Sequence, residues 1–148
     1  MSLRERISAD IKEAMRSRRT DELTTLRMLS AALKQREVDE RVTLADADVL
    51  AIVEKLIKQR RDAAKQYRDG GRPELAEAED AEAALLGCYL PPQLDEATLT
   101  ALIDEIIAAS GAQGPRDMGK VMGQLKPKVQ GQADMGEVSR LVKSRLGT

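Results

Sequence analysis

From Leu3 to Leu146 the apolar residues of this chain fall at three- and four-residue steps, and nowhere do they alternate over a run bounded by turns. That period marks one face of an α-helix, whereas a half-buried strand repeats every second residue. The spacing predicts an all-α protein. Leu3, Ile7, Ile11 and Met15 form the first stripe, with Ser2 as cap and Glu5 as its capping-box partner. Asp21 is the expected cap of a second helix carrying Leu23, Leu26, Leu29 and Leu33. Thr43 and Asp46 open a third, with Val49, Val53, Leu56, Ile57 and Tyr67, which Gly70-Gly71 ends. Pro73 starts a fourth at the position that proline favours.

Leu90-Pro91-Pro92 is the clearest break, because two successive prolines cannot continue a helix. The expected organisation is an N-terminal four-helix part over residues 1–92 and a small three-helix module over residues 93–148. In that module Asp95 caps a helix stopped by Gly111. Pro115 begins a short helix limited by Pro127. Asp134, with Glu137 three residues on, opens the last.

Composition removes whole classes of chemistry. The chain has no His, so Ser-His-Asp and Cys-His catalysis and His-ligated metals are excluded. One cysteine, Cys88, excludes an intrachain disulfide and a multi-Cys zinc site. Its neighbours Leu85, Leu86 and Leu90 predict a buried structural thiol. With no Phe, no Trp and two Tyr, aromatic stacking cannot be the main grip on a nucleic acid. No phosphate-binding loop, nucleophile with a local base, or metal-ligand spacing is present, so no catalytic residue, metal or cofactor is expected. No 18-residue apolar run exists, and residues 1–6 lead into no apolar leader. The expectation is a cytoplasmic protein that does not enter a membrane.

Charge is unevenly spread. Residues 1–73 hold 17 Lys/Arg and 13 Asp/Glu, residues 74–109 hold 9 Asp/Glu and no base, and residues 110–148 hold 7 Lys/Arg and 3 Asp/Glu. Either acidic and basic helices face each other, or the ends meet an outside polyanion. A helical adaptor using the acidic segment 74–109 against a basic partner is the alternative.

The stretch from Asp117 to Asp134 is the most informative. Gly119 and Gly123 lie four apart, on one face of a helix, where each costs about 1 kcal/mol relative to alanine. Something must approach the backbone there: a neighbouring helix or a nucleic-acid strand. Lys120, Lys126, Lys128 and Gly131 cluster around this helix and its exit. Lysines and exposed backbone N–H groups are the parts that meet phosphates.

At this stretch the sequence resembles the C-terminal tail of the B subunit of the glutamine-dependent Asp-tRNA/Glu-tRNA amidotransferase and its free-standing relatives, the GatB/YqeY-like family. The resemblance lies in Met118-Gly119-Lys120-Val121-Met122-Gly123, Lys128, Gly131-x-Ala133-Asp134, Val138 and Val142-Lys143. It extends to Arg27-Met28-Leu29, Lys58-Gln59-Arg60-Arg61-Asp62, Gly71-Arg72 and Tyr89-Leu90-Pro91-x-Gln93-Leu94, covering nearly the whole chain. It implies an all-α, two-part fold and a tRNA-engaging role, with Gly119, Lys120, Gly123, Lys126, Lys128, Gly131 and Lys143 as the nucleic-acid-binding set. It also implies amidotransferase or tRNA-synthetase components as partners. Carbon–nitrogen ligase activity with glutamine as amido donor goes with the family, but the amidase triad belongs to another subunit.

Overall fold

The computed structural model describes residues 1–147, which are helical in the main and contain no strand. They divide into two compact units, Met1–Leu90 and Pro91–Thr148, each with its own buried cluster.

In the first unit α1 spans Leu3–Arg16, α2 Thr20–Glu40, α3 Asp46–Asp69 and α4 Pro73–Leu86. Ser2 accepts the Glu5 N–H and the Glu5 carboxylate accepts the Ser2 N–H, closing the expected capping box. Gly71, at φ +75°, makes the left-handed turn between α3 and α4. Ile7, Leu29, Leu33, Val49, Val53 and Leu86 are fully buried and join the four helices.

Two helix starts differ from the sequence expectation. Asp21 does not cap α2. Arg18 adopts a left-handed φ of +54°, and the Arg19 N–H returns to the Ala14 carbonyl at 3.0 Å, so the chain turns earlier and Asp21 falls inside the first turn. There its charge still meets the positive end of the helix dipole. Thr43 does not open α3 either. The extended residue before that helix is Ala45, whose N–H donates to the Asp48 carboxylate at 3.1 Å.

Cys88 is a correction. A short 3-10 turn at Gly87–Tyr89 carries Tyr89 inward and leaves Cys88 on the surface. The surrounding protein still withdraws enough water from the sulfur to raise the thiol pKa, against the pull of Arg6.

In the second unit α5 spans Glu96–Ser110, α6 Met118–Val129 and α7 Met135–Arg145. Ile103, Val121, Leu125, Val129, Val138 and Val142 are fully buried between them. Asp95 caps α5 and Asp134 caps α7, each accepting the backbone N–H three residues on. Gly111 ends α5 at φ +71°. Pro115 starts a 3-10 turn, Pro115–Asp117, that leads into α6. Pro127 does not limit α6, which continues to Val129 with the proline inside it. Pro127 lies on the solvent side, so the helical bond it cannot make is lost where water replaces it.

The two ends of the Pro91–Gly131 segment are tied within this unit. Gln93 donates to the Pro91 and Gly131 carbonyls at 3.0 and 2.6 Å, and the Leu94 N–H to the Gln132 carbonyl at 2.8 Å.

Candidate nucleic-acid interface

α6 is amphipathic in the simplest way. Val121, Leu125 and Val129 recur every four residues and are buried. Gly119, Gly123 and Pro127 recur at the same interval and are exposed, with Lys120, Gln124, Lys126 and Lys128 beside them. No acidic residue lies within α6.

The glycines are not there for a neighbouring helix. A Cβ placed on Gly119 or Gly123 would meet nothing within 4 Å beyond its own helix. Of the two readings that the sequence allowed, packing inside this chain has no support among the described residues.

The expected lysines do not share one task. Lys120 donates from Nζ to the Ser110 carbonyl at 2.8 Å and so closes the C-terminal end of α5, where a cation opposes the negative end of the dipole. Lys126 and Lys128 are exposed in the last turn of α6 and make no ion pair among the described residues. Lys143 stands on α7, where with Pro115, Met118 and Leu146 it lines an open pocket of about 360 Å³ at the beginning of α6. In that pocket Lys143 stands by Met118 at the start of α6, whereas Lys126 and Lys128 lie in its last turn.

Gly131 has a different place. It is buried, holds φ +77°, and its carbonyl accepts the Gln93 amide. It shapes the joint between α6 and α7 rather than the exposed face. Arg116, not singled out from the sequence, is an exposed cation just before α6. The signal for Pro127 was available: it continues the Gly119–Gly123 interval by one more step of four.

The acidic segment is largely used internally. On α4, Glu79 and Glu82 each lie 3.6 Å from the Arg60 guanidinium of α3, and Asp80 pairs with Arg68. Glu74 pairs with Arg72 at 2.9 Å, which lowers the Glu74 pKa. On α5, Asp104 takes two bonds from Arg145 of α7, at 2.7 and 2.5 Å, which hold its carboxyl below the usual range. Glu96 lies 3.8 Å from Arg140. Acidic helices thus face basic ones within each unit, the first of the two readings of the charge pattern. No helix of the described residues is long and apolar enough to cross a membrane.

The sequence matches the family described as Yqey-like protein over residues 4–146. It is 27% identical over 145 residues to the altered inheritance of mitochondria protein 41 of Pyrenophora tritici-repentis, covering 96% of this chain and 80% of that one. A protein of the same name from Clavispora lusitaniae is 31% identical over 108 residues, 69% of this chain and 63% of its own. In Vanderwaltozyma polyspora the identity is 34% over 85 residues, 57% of this chain and 46% of the relative. These relatives are named as mitochondrial, which overturns the expectation of a cytoplasmic protein. A single thiol does not separate the cytosol from another reducing compartment. With its match running from Arg4 to Leu146, the chain belongs to the Yqey-like family.

Proposed function

We propose that this protein is a helical RNA-binding module, built as a four-helix N-terminal part followed by a three-helix module, that engages tRNA through the exposed face of α6 and has no catalytic site of its own. The observation that carries the reading is the combination on α6: bare backbone at Gly119 and Gly123, free cations at Lys126 and Lys128, and no carboxylate in the helix. A phosphodiester chain needs close approach and positive charge together, and seldom finds both on a helix that packs inside a protein. The resemblance to the tail of the amidotransferase B subunit supports tRNA as the RNA, and amidotransferase or synthetase components as companions. The adaptor reading loses ground, because the acids of α4 and α5 that it needs are engaged by Arg60, Arg68, Arg72, Arg140 and Arg145.

The test is a titration of total tRNA against the full chain at several salt concentrations. Binding that weakens linearly in log–log form, and weakens further in the Lys126→Ala/Lys128→Ala variant, is the expected result. Absence of binding at low salt overturns the proposal. Ammonia release from glutamine above a no-enzyme blank would show that the chain is instead an enzyme.

A further inference from the structure

α3 carries a second cationic face, in the first unit and apart from α6. Lys58, Arg61 and Lys65 stand three and then four residues apart, so they share one side of the helix. All three are exposed, and none makes an ion pair among the described residues. Acids are close at hand but engaged elsewhere. From α4, Glu79 and Glu82 reach Arg60, and Asp80 reaches Arg68. On α3 itself Asp62 and Asp69 are exposed and pair with none of the three. Like charges three and four apart on a helix repel, so the triplet weakens the fold rather than supporting it.

An outside anion would relieve that repulsion, and the chemistry of the face limits which one. From Lys58 to Lys65 the helix rises about 10 Å, so the charge is repeated along a line rather than gathered at a point. The apolar residues Val49, Val53 and Leu56 of α3 face the core, and no large hydrophobic residue of this helix is exposed. The face therefore lacks the apolar wedge that enters a bilayer and the apolar anchor that centres a protein interface. A phosphodiester strand needs neither. It repeats its charge, and Lys and Arg hold it whatever the bases. Resting on the proposed RNA-binding role, we infer that Lys58, Arg61 and Lys65 form a second RNA-contacting face, which holds backbone phosphates through the first unit without reading sequence.

The experiment titrates total tRNA against the full chain over a range of salt concentrations, in four forms. They are the parent, Lys58→Gln/Arg61→Gln/Lys65→Gln, Lys126→Ala/Lys128→Ala, and Lys12→Gln/Arg27→Gln/Lys34→Gln. The last removes equal charge from other exposed positions of the first unit that make no ion pair among the described residues. The α3 variant should reduce the slope of log affinity against log salt by roughly 2–3, the counterions of three phosphate contacts. It should melt no lower than the parent, and the equal-charge control should keep the parent's slope. An unchanged slope in the α3 variant overturns the inference and leaves the α6 reading to its own variant. The same loss in the control shows a response to net charge and overturns the assignment to α3. A loss in the α3 variant with none in the α6 variant supports this face and removes α6 from the interface. Vesicles rich in phosphatidylglycerol that lose binding in the α3 variant, while tRNA keeps it, would assign the face to a membrane and overturn the inference. Failure of the parent to bind tRNA overturns the RNA-binding role and this inference with it.

Discussion

Tyr89 donates its phenolic proton to the Asp10 carboxylate at 2.6 Å, joining α1 to the turn that closes the first unit. The ring is buried, and Arg6 stands 4.9 Å from its centroid. Burial, the bond to Asp10 and its charge push the tyrosine pKa well above its ordinary value. Tyr89→Phe keeps the ring and removes the bond. Asp10 retains Arg6 at 4.0 Å, so no buried charge is orphaned, and the cost should be about 1 kcal/mol. The sign with pH follows from the raised pKa. Below about pH 10, tyrosine is neutral whether folded or not, and the advantage over Phe is constant. Above it the unfolded phenol ionises while the folded one does not, so the advantage shrinks. Urea melts of both proteins at pH 8 and pH 11 would show this, and a gap that widens with pH would contradict it.

Arg60 anchors the charged seam between α3 and α4. Besides the two glutamates of α4, it donates from Nη2 toward the Met28 sulfur at 2.8 Å. Its Nε and the Glu79 Oε2 are buried without a hydrogen bond, though ion pairs surround them. Arg60→Leu leaves the Glu79 carboxylate with its cation gone, and should lower stability by about 1–3 kcal/mol. The double variant Arg60→Leu/Glu79→Leu should recover much of that loss, because apolar side chains replace the pair. A double variant less stable than the single would show that the seam is net stabilising as built. These pairs were invisible in the sequence, where Arg60 and Glu79 stand nineteen positions apart.

What the sequence displayed well was anything set by local chemistry. Apolar spacing located the helices, and the Ser2, Asp95 and Asp134 caps, the Gly71 and Gly111 turns and the Pro73 start lie where the residue types require them. What it hid depended on which side faced water. Cys88 has leucine neighbours, yet a 3-10 turn in place of a further helical turn puts it outside. Pro127 read as a stop because the rule assumes a costly lost bond, and on an exposed face that cost falls. The residues proposed for the interface could be named from the sequence, but not their placement. Lys120 and Gly131 belong to the α5 end and to the α6–α7 joint, while Gly119, Gly123, Lys126 and Lys128 are exposed along α6, with Lys126 and Lys128 on opposite flanks of the helix.

The glycines give a stability prediction of unusual sign. Gly123 lies inside α6 with open space around it, so alanine there meets no clash and gains helix propensity. Gly123→Ala should raise stability by about 0.5–1 kcal/mol. The same change should weaken tRNA binding, since a methyl group now stands between strand and backbone. Thermal melting and RNA affinity on one sample decide it. A lower melting temperature would mean that α6 packs against something in solution, and unchanged affinity would remove Gly123 from the interface.

The lysines should divide by task in the same way. Lys126→Ala and Lys128→Ala remove exposed charges that make no ion pair among the described residues and act on the fold only through the dipole of α6, so the melting temperature should move little. Each should reduce the slope of log affinity against log salt by roughly 0.7–0.9, the counterions released per phosphate contact. Lys120→Ala removes the bond to the Ser110 carbonyl and should lower the stability of α5 at its C-terminal end. With its ammonium already committed there, Lys120 should change the salt slope by less than either of the others. Measuring slopes and melting temperatures for the three single variants separates these roles. If Lys120→Ala moves the slope most and the melting temperature least, the strand crosses the start of α6 rather than its end.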